Sequence, residues 1–410
     1  MRANLTRTTS MSKKRITLVT QFFPPETFAG ANRVGAMADV LADSHELVVV
    51  APRPGYPHAS LYDPLGAVEA DRGRAYRVVR SRPFRPHSRS LPVRAVRELM
   101  MATRLAVLAA REPSDIVVTS SPSMFLGPVC LVLARARSSR FVWDIRDIGW
   151  DYAGESTLAS IHMGVALGAL QRVMWFVAGR ADLVVTASEG GARRVGQNGV
   201  GRTQVLNVEN VASRDLLESC ADCRERVPKP RPIVSYVGLI GDAQGLAVMV
   251  DVAKALPDVD FVIAGDGPER ALLEARIAEL QVTNVTLTGY LSRAEVLDLY
   301  RRSDVLFAQL RDAPTLNATS LPSKLYEYMA TGKPIVYAGS GLAAETVERI
   351  GCGIRVPAGA GGAIATGIRE LLDDESKIAE MGRTGRAYVD AGGDRETAFM
   401  ALADRLSALE

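Results

Sequence analysis

Residues 233–268 read IVSYVGLIGDAQGLAVMVDVAKALPDVDFVIAGDGP. The β-prone run Ile233–Val237 enters a glycine turn, Gly238 to Gly245. An apolar stretch of helical spacing then carries the chain to Leu256, and Phe261-Val262-Ile263-Ala264 forms the next strand, closed by Gly265-Asp266-Gly267-Pro268. Strand, glycine turn, helix and strand is the unit from which helix-covered parallel sheets are built.

Outward from this stretch the same alternation recurs. Strands are expected at Ile16–Thr20, Leu47–Val50, Asp115–Thr119, Phe141–Trp143, Leu183–Thr186 and Val305–Ala308. Asn32 to Leu41 carries Val34, Met37, Ala38 and Leu41 at helical spacing. Ser292-Arg293-Ala294-Glu295 has capping-box spacing, and a helix from Pro322 to Thr331 is ended by Gly332. The pattern breaks at Ser213 to Pro232, which closes on Pro228-Lys229-Pro230-Arg231-Pro232. Expected boundaries are a disordered tail at 1–14, a first Rossmann-like domain at 15–212, a linker at 213–231 and a second domain at 232–384. The helical residues 385–410 are expected to return to the first.

A length of 410 residues suits two domains, and 47% hydrophobic with 23% charged residues is the balance of a globular chain. Four cysteines are too few for a disulfide framework at this length. Cys220 and Cys223 have CxxC spacing but no second pair with which to complete a zinc site. The net charge of +3 hides an asymmetry: residues 1–205 hold 27 Lys/Arg against 16 Asp/Glu, and residues 206–410 hold 22 against 30. The basic half faces an anionic partner or simply solvates its charge. No secretory signal is visible in the first fourteen residues, and the longest uncharged run, Ile116 to Ala134, is broken by Pro122 and Pro128. A cytoplasmic protein is expected, soluble or peripheral at the inner face of the cell membrane, with no nucleic-acid partner.

Three segments carry chemistry, each with two readings. In the turn Gly238 to Gly245, glycines let backbone amides and a helix start approach a phosphate, or they serve turn geometry alone. Gly265-Asp266-Gly267-Pro268 lies where open α/β sheets place ligands, and is also a tight turn with proline opening a helix. On the helix after Pro322, Ser323, Lys324 and Glu327 share a face. They can grip a phosphate and a sugar diol together, or make a surface ion pair.

These residues resemble the nucleotide-sugar domain of the family 4 retaining glycosyltransferases of GT-B fold. The matching pieces, in order, are Tyr236-Val237-Gly238, Gln244-Gly245-Leu246, Ile263 to Pro268, Thr288-Gly289-Tyr290, Ser303-Asp304-Val305, Pro322-Ser323-Lys324 with Glu327-Tyr328-Met329-Ala330, Gly332-Lys333-Pro334, Gly339-Ser340-Gly341 with Glu345, and Gly351-Cys352-Gly353. The first half adds Gln21 to Glu26 with Gly30-Ala31-Asn32-Arg33, and Asp144-Ile145-Arg146-Asp147. The resemblance implies an α/β protein of two Rossmann-like domains facing a central cleft, with a nucleotide sugar, UDP-linked, as donor. Donor contacts are implied for Gly30, Arg33, Gly238, Gly241, Gln244, Gly265, Gly267, Tyr290, Leu291, Ser323, Lys324 and Glu327. Glu327 matches the carboxylate on the ribose, and Tyr290-Leu291 lies where the base is read. Two positions depart from the family. Thr319 stands where its second glutamate lies, and Leu239 and Gln244 replace an Arg and a Lys beside the diphosphate. Lys324 is the candidate for that missing charge. The departures resemble those of the aminosugar and fucosamine transferases of surface polysaccharides.

The expected activity is sugar transfer to an acceptor hydroxyl with retention, without a metal or other cofactor, in surface polysaccharide or glycolipid assembly. Asp147 is the first-domain candidate near the reacting sugar, with Lys324 and Glu327 the other catalytic candidates. Alternatives are a nucleotide-sugar 2-epimerase, a cytosolic enzyme acting on a small-molecule acceptor, and a non-catalytic binding protein. Residues 80–111 carry eight arginines against Glu98, interleaved with large apolar residues, which suits an anionic membrane surface and a lipid-linked acceptor, or a core-facing helix with solvated arginines.

Overall fold

The computed structural model describes residues 13–26, 29–55, 62–83, 91–152, 161–221, 223 and 227–409. Residues 1–12 of the expected tail at 1–14, and Phe84, Arg85 and Arg89 of the basic stretch, lie outside them. Two parallel sheets organise the chain, each of Rossmann-like form. The first contains β1 (Arg15–Thr20), β2 (Glu46–Pro52), β3 (Arg77–Ser81), β4 (Ile116–Ser120), β5 (Arg140–Ile145), β6 (Leu183–Thr186) and β7 (Val205–Asn207), in the order β3-β2-β1-β4-β5-β6-β7. The second contains β8 (Ile233–Val237), β9 (Asp260–Ala264), β10 (Val285–Gly289), β11 (Val305–Gln309), β12 (Ile335–Ala338) and β13 (Gly353–Val356), in the order β10-β9-β8-β11-β12-β13.

Burial of both faces explains the apolar runs of the second sheet. Val305 and Phe307 of β11 and Val336 and Ala338 of β12 enter one core cluster, with Val248, Val252 and Ile364. Leu306, Ala308, Ile335 and Tyr337 enter the other, with Leu325, Met329 and Val347. Alternate side chains therefore serve opposite faces, as the pleat requires.

Two compact units emerge: Met1–Asp144 with Arg180–Val184 and Phe399–Glu410, and Ile145–Gly179 with Val185–Ala398. Residues 145–179 and 185–212, assigned to the first domain from sequence, thus group with the second. The expected linker also differs from a free connection. Ser213 caps a helix, Arg214–Ser219, whose Leu216 is buried with Cys220 and Cys223 in the second core. Those apolar side chains outweigh the charged ones around them. The C-terminal region is two helices, Glu375–Gly392 and Arg395–Ser407, separated at Gly393, whose φ is +79°. The return to the first unit begins only at Phe399.

Candidate nucleotide-sugar site

The site is built on the carboxyl ends of β8, β9 and β10. Gly238 donates its N–H to Ala264 O at 2.9 Å, Ile240 donates to Asp266 O at 3.0 Å, and Gly265 donates to Gly289 O at 2.8 Å. Three turns are thereby laced into one layer. Gly265, at φ +134°, fits because a Cβ there would stand 1.9 Å from Gly238 O. A Cβ on Gly267, at φ +159°, would stand 2.2 Å from Ile240 O. The Gly267 N–H is taken by Asp266 Oδ1 at 2.7 Å. Gly265 and Gly267, expected as donor contacts, are thus the packing that holds the layer, and their amides are already engaged. Among the described residues, the N–H groups of Leu239 and Gly241 donate to no protein acceptor.

The helix Ser323–Thr331 starts against this layer with Pro322 at its N-cap. Tyr328 on its buried face accepts from Val237 N–H at 2.9 Å, fixing the helix to the end of β8. Lys324 is delivered to the first turn: a Cβ on Gly238 would lie 2.9 Å from its Nζ. Lys324 donates to Tyr236 Oη at 2.5 Å, with Nζ 3.8 Å from the ring centroid, and Tyr236 donates in turn to Leu239 O at 2.6 Å. Burial pulls the Lys324 ammonium down to about 7, with Glu327 acting in the opposite sense. Glu327, one turn on, accepts from Tyr300 Oη at 3.4 Å. Its carboxyl is held above the ordinary range by burial, against the pull of Arg395 and Lys324. Burial thus pushes both Lys324 and Glu327 toward their uncharged forms. Each would gain from a ligand that supplies the opposite charge or hydroxyl donors.

Tyr290 is exposed and Leu291 half-buried just beyond β10, next to the Gly265 turn. Ser323 opens the Lys324 helix. Gln244 lies in the one-turn 3₁₀ segment Asp242–Gln244, its Oε1 buried without a partner and 2.9 Å from where a Gly241 Cβ would be. Asp147 is exposed between β5 and the short helix Gly149–Tyr152.

Two expectations in the first unit change. Arg33 is fully buried and paired with Asp144 at 3.0 Å; Asp144 also accepts from Ser120 Oγ at 2.7 Å. The Arg33 guanidinium stacks on the Phe399 ring, with 5.1 Å to the centroid. It braces the interior and is not a donor contact. Gly30, also expected at the donor, is buried in the first turn of the helix Ala29–Ser44.

Sequence reasoning missed Arg311. Its N–H donates to Ala243 O at 2.9 Å, its guanidinium pairs with Asp242, and a Cβ on Gly245 would sit 2.8 Å from its Nε. A cation therefore lies beside the turn that lacks the family's Lys at Gln244. Gln309, just before it, donates to Gln244 O and Gly245 O, each at 2.8 Å. Only the pairing of β8 with β11 brings these residues to the turn, and no sequence spacing records it.

Two family models match the chain: the glycosyl transferase 4-like domain over residues 29–210 and glycosyl transferases group 1 over residues 223–388. The chain belongs to the family 4 glycosyltransferases. As a glycosyltransferase it is 26% identical over 405 residues to the GDP-mannose-dependent alpha-(1-6)-phosphatidylinositol monomannoside mannosyltransferase of Mycolicibacterium smegmatis, covering 95% of this chain and 97% of that one. It is 29% identical to the 2-deoxystreptamine glucosyltransferase of Streptomyces kanamyceticus over 178 residues, 42% of this chain and 44% of that protein. Its fold matches the crystal structure of Anabaena HepE in complex with UDP and glucose, with a TM-score of 0.71 at 17% identity over 96% of this chain and all of that one. The two-domain GT-B assignment is thereby met. The 2-epimerase alternative finds no support, since these matches are glycosyltransferases.

Proposed function

We propose that this glycosyltransferase moves a sugar from a nucleoside diphosphate donor to an acceptor hydroxyl with retention, the nucleotide lying against the second sheet. The reading rests on one arrangement: Lys324 at the Gly238 turn and Glu327 one helical turn further on. Lys324 and the amides of Leu239 and Gly241 suit the diphosphate, whose negative charge grows as the sugar leaves. Glu327 suits the ribose hydroxyls, and Tyr290-Leu291 the base. In this reading those protein groups stabilise the leaving group, and no metal is invoked.

The acceptor is proposed to be lipid-linked and met at an anionic membrane. The helix Leu91–Ala109 exposes Val93, Val96, Met100 and Val107, at 42%, 57%, 60% and 53%, with Arg94, Arg97 and Arg104 also exposed. A similar acceptor is named for the mycobacterial relative. Arg80 does not contribute to this face, since it is bound to Asp71, Pro52 O and Pro24 O. Among the described residues no helix is long and apolar enough to cross a membrane.

Melting curves with UDP, GDP and their sugars test the donor. A ligand present at about 100 times its Kd raises stability by about 2.7 kcal/mol. One nucleotide series should raise the melting temperature while the corresponding nucleosides do not. No shift with any of them would contradict the reading.

A further inference from the structure

A cavity of about 460 Å³ lies in the second unit between the helices Glu189–Gln197 and Pro314–Thr319. Its walls include Gly190, Arg193, Arg194, Gln197, Thr315 and Thr319. Pockets that take small ligands run from about 300 Å³ upward, so a sugar ring fits. Close approach of the two helices makes the cavity: a Cβ on Gly190 would stand 2.3 Å from Ala318 O, and Ser188 Oγ donates to Thr319 O at 2.5 Å.

Its charge is one-sided. Among the described residues no carboxylate lines it. Arg194 is neutralised from behind by Asp151, Nε to Oδ2 at 2.6 Å, and that carboxylate is buried and also accepts from Trp175 Nε1 at 3.2 Å. Arg193 makes no ion pair among the described residues. The wall position where the family carries a glutamate is Thr319, whose hydroxyl is turned onto Thr315 O at 3.0 Å. One uncompensated guanidinium, a carboxamide and no acid make a place for an anion.

We propose that this cavity binds the anionic group of a saccharide substrate, a carboxylate or phosphate carried on the sugar. The proposal rests on the glycosyl-transfer reading and names the substrate class for it. The charged group belongs either to the donor sugar or to the acceptor, and the guanidinium recognises both in the same way.

Calorimetry on the full chain separates the two sources. One arm compares UDP-glucuronate with UDP-glucose; the other compares glucuronate and glucose 6-phosphate with glucose. In one arm the anionic sugar should bind about tenfold more tightly or better, the worth of one charge-assisted hydrogen bond. Arg193→Gln should remove that advantage. So should Gln197→Glu, an exposed change that places a carboxylate beside Arg193. No advantage in either arm, or one that survives both substitutions, would overturn the proposal. UDP and GDP titrated alone keep the two readings apart: binding of either without discrimination sinks this inference only, and discrimination without binding of either counts against the nucleotide site only.

Discussion

Lys324 and Tyr236 form a cation–phenol pair at the mouth of the glycine layer, Nζ 2.5 Å from Oη and 3.8 Å from the ring centroid. Tyr236 passes the contact on to Leu239 O, so the lysine and the turn are one hydrogen-bonded unit. The ammonium is buried there without a carboxylate in direct contact, which is why its affinity for a proton falls to about 7. A diphosphate arriving at the turn would supply the missing negative charge and draw the proton back.

The consequence is a pH dependence of defined sign. Below pH 7 Lys324 is already charged in the free protein, and nucleotide binding takes up little proton. Above it, binding must protonate the lysine, so affinity for nucleoside diphosphate falls as pH rises, by up to about tenfold per unit. Calorimetry at pH 8 in buffers of different ionisation enthalpy should show proton uptake, and Lys324→Met should abolish it. Uptake unchanged in the variant would assign the proton to another group.

Glu327 is expected to read the ribose. Glu327→Ala should weaken UDP or GDP binding by about 1.5–3 kcal/mol, the range for hydrogen bonds to a charged group. The same change should leave the 2′-deoxy nucleotide much less affected. Equal losses for both nucleotides would remove the ribose role.

Gly265 tests the layer itself. Gly265→Ala places a methyl 1.9 Å from Gly238 O in a backbone conformation that L side chains avoid. Thermal unfolding should show a loss of at least about 2 kcal/mol, with nucleotide affinity lowered as the Gly238 turn shifts. A stable variant with normal affinity would show the turns to be independent.

Much of this was legible from sequence, and the exceptions have physical causes. Apolar runs buried on both faces, such as β8, β9 and β11, announce themselves, and so does the Ser292–Glu295 capping box, which forms with both reciprocal bonds. The strands β3 and β13 are short sheet edges interrupted by arginines, and β7 is only three residues long, so periodicity passes over them. At the site, Lys324 and Glu327 were readable because a helix fixes which residues share a face. Arg33 misled because a conspicuous arginine near a glycine looks like a ligand contact; burial against Asp144 is a property of the packed sheet that no local pattern encodes. Arg311 was invisible for the same reason.

Flotation with anionic vesicles should recover the protein at low salt, weaken as salt rises, and fail when Arg94, Arg97 and Arg104 are changed to Glu. Each cation near such a surface is worth about 1 kcal/mol. Salt-independent absence of binding, with activity on a soluble acceptor, would favour a cytosolic enzyme with a small-molecule acceptor.

On the proposed reading, Lys324 at the Gly238 turn carries the departing diphosphate during sugar transfer. The most direct measurement of this role is the rate of nucleoside diphosphate release from the sugar donor that stabilises the protein, for the parent and for Lys324→Ala, with ground-state donor affinity measured alongside. The rate should fall by at least about a hundredfold, the usual cost of losing one group that meets developing charge, with a smaller loss of affinity. Equal rates for the two proteins would contradict it.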